Sequence, residues 1–236
     1  MTTGDTDIQS NPALRDEAGR RLSDGELLTR HGGDLFWSSR SPAARKVMVV
    51  AHENDLQHLL RLRRVSVGFA TPNPEVMKFN PLNKIPTLVL GDGTTIFDSR
   101  VICRLFTSLG ASTANLGDGL PAIRSSVWEA LGDGLADLSM LKLGEGRRAD
   151  GTRSDPHLKA FIFKIGECLD YLEAHIDRLR LEGVTVGSLM IAVALSHIDF
   201  RHGELGWRER RPRLAEWFDR MSSRSSFEAT AFDDVV

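Results

Sequence analysis

The chain contains 236 residues, of which 41% are hydrophobic and 26% are charged, a composition typical of a soluble globular protein. Its formal net charge of −2 argues against general binding to nucleic acid, and the lack of an apolar run of about 18 residues argues against a membrane span. The two cysteines, Cys103 and Cys168, lie far apart with no ligand-spaced partner, which predicts neither a disulfide nor a metal site and indicates a reducing, cytoplasmic compartment.

Residues 1–33 are polar, of mixed charge and without Phe, Trp or Tyr. The segment lacks the apolar centre of a secretory signal and carries acidic residues that a transit peptide would lack. Segments of this composition do not bury enough apolar surface to fold, so we expect a flexible N-terminal arm. The alternative is an arm that binds a partner or covers a site.

Residues 34–110 alternate short apolar runs with helical patterns in the predicted order β-α-β-α-β-β-α. The first helix follows Ser41, a favourable N-cap residue, and opens on a proline, whose missing N–H is not needed at that position. The fourth strand returns from the third through a Gly-Asp-Gly turn. The last helix begins after Asp98 or Ser99 and ends at Gly110.

Residues 118–236 contain no convincing strand, and apolar residues recur there at three- and four-residue steps. Within this part, the segment LMIAVALSHI is apolar on nearly every side, which predicts the central helix of a bundle. The expected fold class is therefore α/β plus all-α, with a small mixed domain over residues 34–110 followed by an all-helical domain.

Two motifs indicate a site for a peptide-like ligand. The cis form of an X-Pro bond costs only about 0.5–1 kcal/mol, so we expect a cis turn at Ile85-Pro86 that leaves the backbone of Ile85 free to pair with an extended peptide. Asp98 and Ser99 start the last helix of the first domain, whose N–H groups suit a carboxylate, while Asp98 suits an ammonium group. Each motif alone would be a strand-edge stop or a plain helix cap. Together they predict a pocket for an α-amino acid end and an extended segment.

The chain resembles a bacterial glutathione S-transferase over about residues 34–232. The resemblance rests on five segments: SPAARKV, NPLNKIPTLVL, FDSRVI, HIDFR and RPRLAEWFDR. It implies a thioredoxin-like domain that holds glutathione, packed on a helical domain, with a variable second substrate between the two. It also implies a homodimer and a role in detoxification, with glutathione as the co-substrate and no metal.

The resemblance also implies which residues bind glutathione. In the family, the residue before the cis proline pairs with the cysteinyl backbone of glutathione, which corresponds to Ile85 beside Pro86. The acid-serine pair that binds the γ-glutamyl end corresponds to Asp98 and Ser99. Lys84, just upstream, is placed to meet the glycyl carboxylate.

Catalysis in the family depends on a side chain that favours the thiolate, since a free thiol has a pKa of about 8.5. Related transferases use tyrosine, serine or cysteine after the first strand. The one tyrosine, Tyr171, lies in the helical half, and neither cysteine is near the first strand. This leaves the serines of SSRSP, of which Ser41 is the predicted catalytic residue, with Ser39 second and Ser38 third. A purely structural N-cap is the alternative for Ser41, and the two roles can coexist.

One position departs from the family pattern. The central helix of the second domain usually begins with a serine or threonine followed three residues later by aspartate, but Thr185 is followed by Ser188, from which we expect a weaker cap. The intact glutathione motifs favour a serine-type enzyme that activates glutathione for attack on a small electrophile. A non-catalytic binding or interaction module is the alternative. Conjugation, isomerisation, reduction, ether cleavage and dehalogenation share the same first domain, so the reaction and the second substrate stay open.

Overall fold

A computed structural model describes residues 12–68, 70–110 and 119–234. One sheet contains β1 (Gly33–Trp37), β2 (Leu60–Arg64), β3 (Thr87–Leu90) and β4 (Thr95–Ile96). The helices of the first half are α1 (Asp24–His31), α2 (Pro42–Glu53), α3 (Pro74–Met77) and α4 (Ser99–Leu109). Those of the second half are α5 (Leu120–Gly146), α6 (Asp155–Ala174), α7 (Ile176–Leu181), α8 (Val186–His202), α9 (Pro212–Ser222) and α10 (Ser225–Glu228).

The sheet has the strand order β2-β1-β3-β4, with β1 parallel to β2 and antiparallel to β3. The last two strands form the antiparallel hairpin that the Gly-Asp-Gly turn predicts. Leu35 of β1 and Leu88 of β3 are fully buried, in one core with Val47 of α2 and Ile102 of α4. The predicted order β-α-β-α-β-β-α and its thioredoxin-like arrangement are confirmed, as is the helical domain that follows.

Residues 12–33, which the sequence predicts to belong to a flexible arm, pack against the core in the structure. Four leucines of this segment are buried in the core: Leu14, Leu22, Leu27 and Leu28. A complete capping box starts α1, because Ser23 Oγ accepts the N–H of Glu26 and the Glu26 carboxylate accepts the N–H of Ser23. The segment is polar on average, so its few apolar residues give a weak signal in the sequence. These residues are nevertheless buried, and they pack the segment against the sheet. Residues 1–11 of the predicted arm lie outside the described residues.

The central position of α8 is confirmed, since this helix is buried along most of its length. It packs very closely against α5. A Cβ atom at Gly132 would lie 2.9 Å from the backbone of Met190 and Ile191, and one at Gly187 would lie 2.3 Å from the carbonyl oxygen of Ser125. Glycine is therefore required at both contacts. Within the ranges that the structure covers, no helix is both long and apolar enough to cross a membrane.

The capping box at the start of α8 is complete even though serine replaces the acid. Thr185 Oγ1 accepts the N–H of Ser188 at 3.2 Å, and Ser188 Oγ accepts the N–H of Thr185 at 2.8 Å. The Ser188 hydroxyl also donates to the carbonyl oxygen of Thr185 at 3.0 Å. The serine thus supplies the bond that an acid would supply and adds a second hydrogen bond to the Thr185 carbonyl oxygen, which also accepts the N–H of Leu189.

Lys46 of α2 links the two halves of the fold through buried ion pairs. Its side chain is fully buried, and its Nζ donates to Glu129 Oε1 at 3.0 Å and to Asp133 Oδ1 at 2.8 Å, both on α5. Arg100 donates to the other oxygen of Asp133 at 2.7 Å. Burial alone would lower the pKa of Lys46, but the negative charge of the Cys103 thiolate, once it forms, and those of Asp133 and Glu129 together outweigh burial, so its pKa is raised overall. The ammonium group therefore stays charged in the interior.

His197 of α8 makes the stability of the fold depend on pH. Burial, helped by the charges of His202 and Arg201, lowers the pKa of His197 to about 3. In an unfolded chain a histidine takes up its proton at a pKa of about 6.5. Between these two values the unfolded state binds more protons than the folded state, so the free energy of unfolding falls as the pH falls. The contribution is fully present above the unfolded pKa.

We expect His197 to lower the free energy of unfolding by about 1.6 kcal/mol between about pH 6.5 and pH 5. Burial lowers the pKa of His52 and of His202 too, so both add in the same direction. Burial raises the pKa of Glu53, but Arg224, Ser226 and His52 together lower it overall, so this carboxylate matters only in stronger acid. Urea unfolding at both pH values measures the slope. An equal slope in wild type and His197→Asn would contradict the assignment.

Candidate functional site

Ser41 is the N-cap residue of α2, at the point where β1 leads into that helix. Its Oγ accepts the N–H of Ala44 at 3.2 Å, and Pro42 takes the first helical position, as predicted. The N–H of Ala43 makes no hydrogen bond to any described residue. The Ser41 side chain is half-buried. A negative group beside it would therefore meet a hydroxyl, a backbone N–H and the positive end of a helix.

The other two serines of the motif are more buried and lie in different surroundings. Ser39 Oγ donates to Asp233 Oδ1 at 2.7 Å. Ser38 Oγ accepts the N–H of Arg40 at 3.3 Å. Ser41 is the most accessible of the three hydroxyls.

The cysteines of the protein offer no competing thiolate at ordinary pH. Burial raises the pKa of the Cys103 thiol to about 12. Burial also raises the pKa of Cys168, which lies on α6 in the helical half. Both thiols are therefore protonated near neutral pH, which agrees with their exclusion as catalytic residues.

The Ile85-Pro86 bond is cis, as predicted, and precedes β3. Neither the N–H nor the C=O of Ile85 bonds to another residue in the described part of the chain. Asn80 shapes the turn, since its Nδ2 donates to the Lys84 carbonyl oxygen at 3.1 Å and to Thr87 Oγ1 at 3.0 Å. Asn80 is not among the predicted site residues. Its only sequence signal is an asparagine in a proline-flanked turn.

The Asp98-Ser99 pair begins α4. Asp98 is the N-cap residue, and its Oδ1 accepts the N–H of Arg100 at 3.0 Å while the side chain stays exposed. Ser99 is buried at the first helical position. Lys84 has an exposed side chain, and no carboxylate within the described ranges pairs with it. The region therefore offers an accessible cation, an accessible anion and the N-terminus of a helix.

The register of the sheet brings the three motifs to one edge, which is formed by the ends of three neighbouring strands. Phe36 pairs with Thr87, and Leu88 pairs with Ile96, both in antiparallel register. The end of β1, the start of β3 and the end of β4 therefore lie side by side. The structure thus places all the predicted site residues along the same edge: Ser41, Lys84, Ile85, Pro86, Asp98 and Ser99.

Comparison with known proteins matches both halves of this fold. The model of the glutathione S-transferase N-terminal domain matches residues 40–109, and that of the C-terminal domain matches residues 155–220. The two matches together cover more than half of the chain. The chain belongs to the glutathione S-transferase family.

Relatives of this glutathione S-transferase family member match between 83% and 86% of the chain. The uncharacterized GST-like protein YibF of Escherichia coli K12 is 33% identical over 204 residues, which span 83% of this chain and 96% of YibF. A family member from Pseudomonas fluorescens Pf-5, solved with bound glutathione, has a TM-score of 0.82 at 33% identity, over 86% of this chain and 100% of its own. A glutathione S-transferase from Methylobacillus flagellatus, solved with GSH bound, has a TM-score of 0.75 at 31% identity, over 85% and 99% of the two chains.

Proposed function

We propose that this protein binds glutathione along the assembled sheet edge and activates its thiol for attack on a small electrophilic molecule. The position of Ser41 carries the proposal. It is an accessible hydroxyl at the N-terminus of α2, on the same edge as the free backbone of Ile85 and the Asp98-Ser99 pair. The relatives solved with bound glutathione support the choice of ligand.

Glutathione lies extended in this proposal. Its cysteinyl N–H and C=O pair with the backbone of Ile85 as an added strand. Its γ-glutamyl ammonium group meets the carboxylate of Asp98, and its α-carboxylate takes the N–H groups at the start of α4 with the Ser99 hydroxyl. Lys84 pairs with the glycyl carboxylate. Each charged end of the tripeptide thus meets a group of opposite charge or a helix end.

The reaction requires the thiolate form of glutathione. The Ser41 hydroxyl donates to the sulfur, and the positive end of α2 favours its negative charge, so both lower the thiol pKa from about 8.5. The thiol proton passes to solvent. The sulfur electron pair then forms a C–S bond with the electrophilic carbon, while the leaving group departs with its own bonding pair. Ser41 keeps its proton throughout.

We expect Lys84→Ala and Asp98→Asn each to weaken glutathione binding about tenfold, because a hydrogen bond to a charged group contributes about 1.5–3 kcal/mol. Asn keeps the helix cap and removes only the negative charge. Calorimetric titration with glutathione measures both dissociation constants, with Lys78→Ala as the control because Lys78 is an exposed lysine outside the site. Absence of glutathione binding by the wild-type protein would contradict the proposal.

We further propose that the protein is a homodimer, built on an apolar surface of α4 and α5. The surface contains four exposed apolar side chains: Val101, Leu120, Ile123 and Val127. Two shallow grooves, one bordered by Val101 and the other by Ile123 and Val127, both reach Arg104, which makes the surface continuous. Contiguous exposed apolar surface is typical of protein interfaces. A second copy of the chain is the proposed occupant, in line with the family.

We expect Val127→Glu to convert this dimer to a monomer, since the symmetry of the interface would bury two unpaired charges at once. Light scattering coupled to size-exclusion chromatography measures the molar mass. Leu181→Glu is the matched control, because Leu181 is 87% exposed on α7, away from the proposed surface. A dimer that survives Val127→Glu, or a monomeric wild type, would contradict this surface.

We also propose a cytoplasmic location and a role in detoxification. Both cysteines are free thiols, which a reducing compartment preserves. In this assignment residues 34–110 hold glutathione and residues 118–236 supply most of the pocket for the second substrate.

A further inference from the structure

Residues 232–234, called the tail below, lie against both halves of the fold. The ring of Phe232 stacks on that of Phe200, with centres 5.4 Å apart and planes 7° from parallel. His197 approaches the same ring edge-on at 5.2 Å, and the guanidinium carbon of Arg45 lies 4.3 Å from its centre. Three groups therefore contact this partly exposed ring: an aromatic face, an imidazole and a cation.

The two aspartates of the tail pair with polar groups around that ring. Asp233 Oδ1 accepts the Ser39 hydroxyl at 2.7 Å and lies 3.8 Å from Arg64. Asp234 accepts from both terminal nitrogens of Arg201, at 3.2 and 2.5 Å. Ser39 belongs to the serine motif, two residues before the proposed thiol-activating serine. The tail thus places Asp233 against the serine motif, while its ring lies over Arg45 of the helix that Ser41 caps.

The tail leaves some polar groups beneath it without a hydrogen-bond or charge partner. Arg45 is buried, and burial lowers its pKa to about 10. Its three guanidinium nitrogens donate to Thr230 Oγ1, the Ser196 hydroxyl and the Phe227 carbonyl oxygen, but no carboxylate of the described residues pairs with it. Two nitrogens nearby, His197 Nε2 and Arg201 Nε, are buried, and neither has a hydrogen-bond partner among the described residues. Buried polar atoms of this kind call for a partner, which the tail does not supply.

We propose that the tail is a detachable stand-in for the second substrate, and that the site beneath it takes an aromatic ring bearing a carboxylate. The substrate ring replaces Phe232 over Phe200 and Arg45. Its carboxylate replaces Asp234 on Arg201. This assignment rests on the proposed function for its place beside the thiolate, whereas the anion site itself does not.

The proposed ligand class fits the proposed chemistry. The glutathione sulfur forms a C–S bond at a ring carbon that carries an activated halide, and the halide leaves with its bonding electron pair. The carboxylate takes no part in the bond changes and serves as the anchor. The guanidinium of Arg45, which lies over the face of Phe232, is attracted to an aromatic face bound in its place. The site therefore recognises both the aromatic ring and the carboxylate of the ligand.

The test compares probe binding to wild type and to a full-length triple variant, Phe232→Ala/Asp233→Asn/Asp234→Asn. Phenylsuccinate is the probe, because it combines one aromatic ring with two carboxylates. It must displace the tail in wild type, so its apparent affinity is reduced by the fraction of open sites. Isothermal titration calorimetry without glutathione is expected to show binding about tenfold tighter, or more, to the triple variant. The neutral phenylsuccinamide is expected to show no such gain.

Two controls separate the tail site from general charge effects. Asp150→Asn/Asp219→Asn removes two exposed carboxylates elsewhere and is expected to bind the probe as wild type does. Arg201→Gln added to the triple variant is expected to abolish the gain. Equal phenylsuccinate affinity in wild type and the triple variant, or an equal gain for the neutral probe, overturns the proposal.

Folding and glutathione binding are checked separately. If circular dichroism shows that the triple variant does not fold, Asp234→Asn alone gives the same comparison with a gain of up to about fivefold, since exposed ion pairs contribute up to about 1 kcal/mol. No gain in that variant counts against the tail site. Failure of wild type to bind glutathione, with the probe result unchanged, would remove the proposed function and leave the anion site in place.

Discussion

Ser41→Ala is expected to raise the pKa of the glutathione thiol bound to this protein by about one to two units. A hydrogen bond to a charged acceptor contributes about 1.5–3 kcal/mol, and one pKa unit corresponds to about 1.4 kcal/mol. Below both pKa values, the thiolate fraction and the conjugation rate then fall about 10–100-fold. Most of the rate returns above the new pKa. Ultraviolet absorbance of the bound thiolate, titrated against pH, measures the shift.

Two further variants assign the effect to the hydroxyl of this residue. Ser41 also caps the N–H of Ala44, so alanine is expected to cost about 1 kcal/mol of stability apart from any chemistry. Ser41→Thr keeps a hydroxyl in both roles and is expected to restore the low thiol pKa. A raised pKa in Ser39→Ala but not in Ser41→Ala would move the role to Ser39. Glutathione binding with an unshifted thiol pKa in the wild type would favour a non-catalytic binding module.

Lys46→Ala is expected to lower the free energy of unfolding by about 3–5 kcal/mol, a large part of the roughly 5–15 kcal/mol typical of folded proteins. The substitution leaves Glu129 without its cation, while Asp133 keeps Arg100. These carboxylates are only 13% and 18% exposed, so solvent does not compensate fully for the missing charge. Urea unfolding near neutral pH measures the loss, which should affect the contact between α2 and α5 first.

The control for Lys46 is Lys164→Ala on α6, which removes an exposed lysine and should change stability by less than about 0.5 kcal/mol. Lys46→Met/Glu129→Met removes both partners of one ion pair, and we expect it to recover part of the loss because neither charge then has to be desolvated. A cost below about 1 kcal/mol for Lys46→Ala would show that the carboxylates find other partners or water.

Local chemistry made several parts of the site predictable. Ser41 followed by proline is a helix start in any context, because the side chain caps a free N–H and the proline needs none. Ile85-Pro86 before a strand and Asp98 before a helix are equally local signals. The resemblance to the family then supplied their proposed roles. Asn80 escaped prediction because its two hydrogen bonds form only once the turn between it and Thr87 has closed.

The sequence by itself determined the order of strands and helices, the caps and turns between them, and the chain positions of the proposed glutathione residues. Those features depend on residues a few positions apart, whose spacing can be recognised from the sequence alone. The tertiary structure alone decided the burial of the segment over residues 12–33, the pairing of Lys46 with α5 and the contact of Asp233 with Ser39. The last pair lies 194 positions apart. Such contacts arise because folding brings distant surfaces together, and spacing along the chain carries no record of which surfaces will meet.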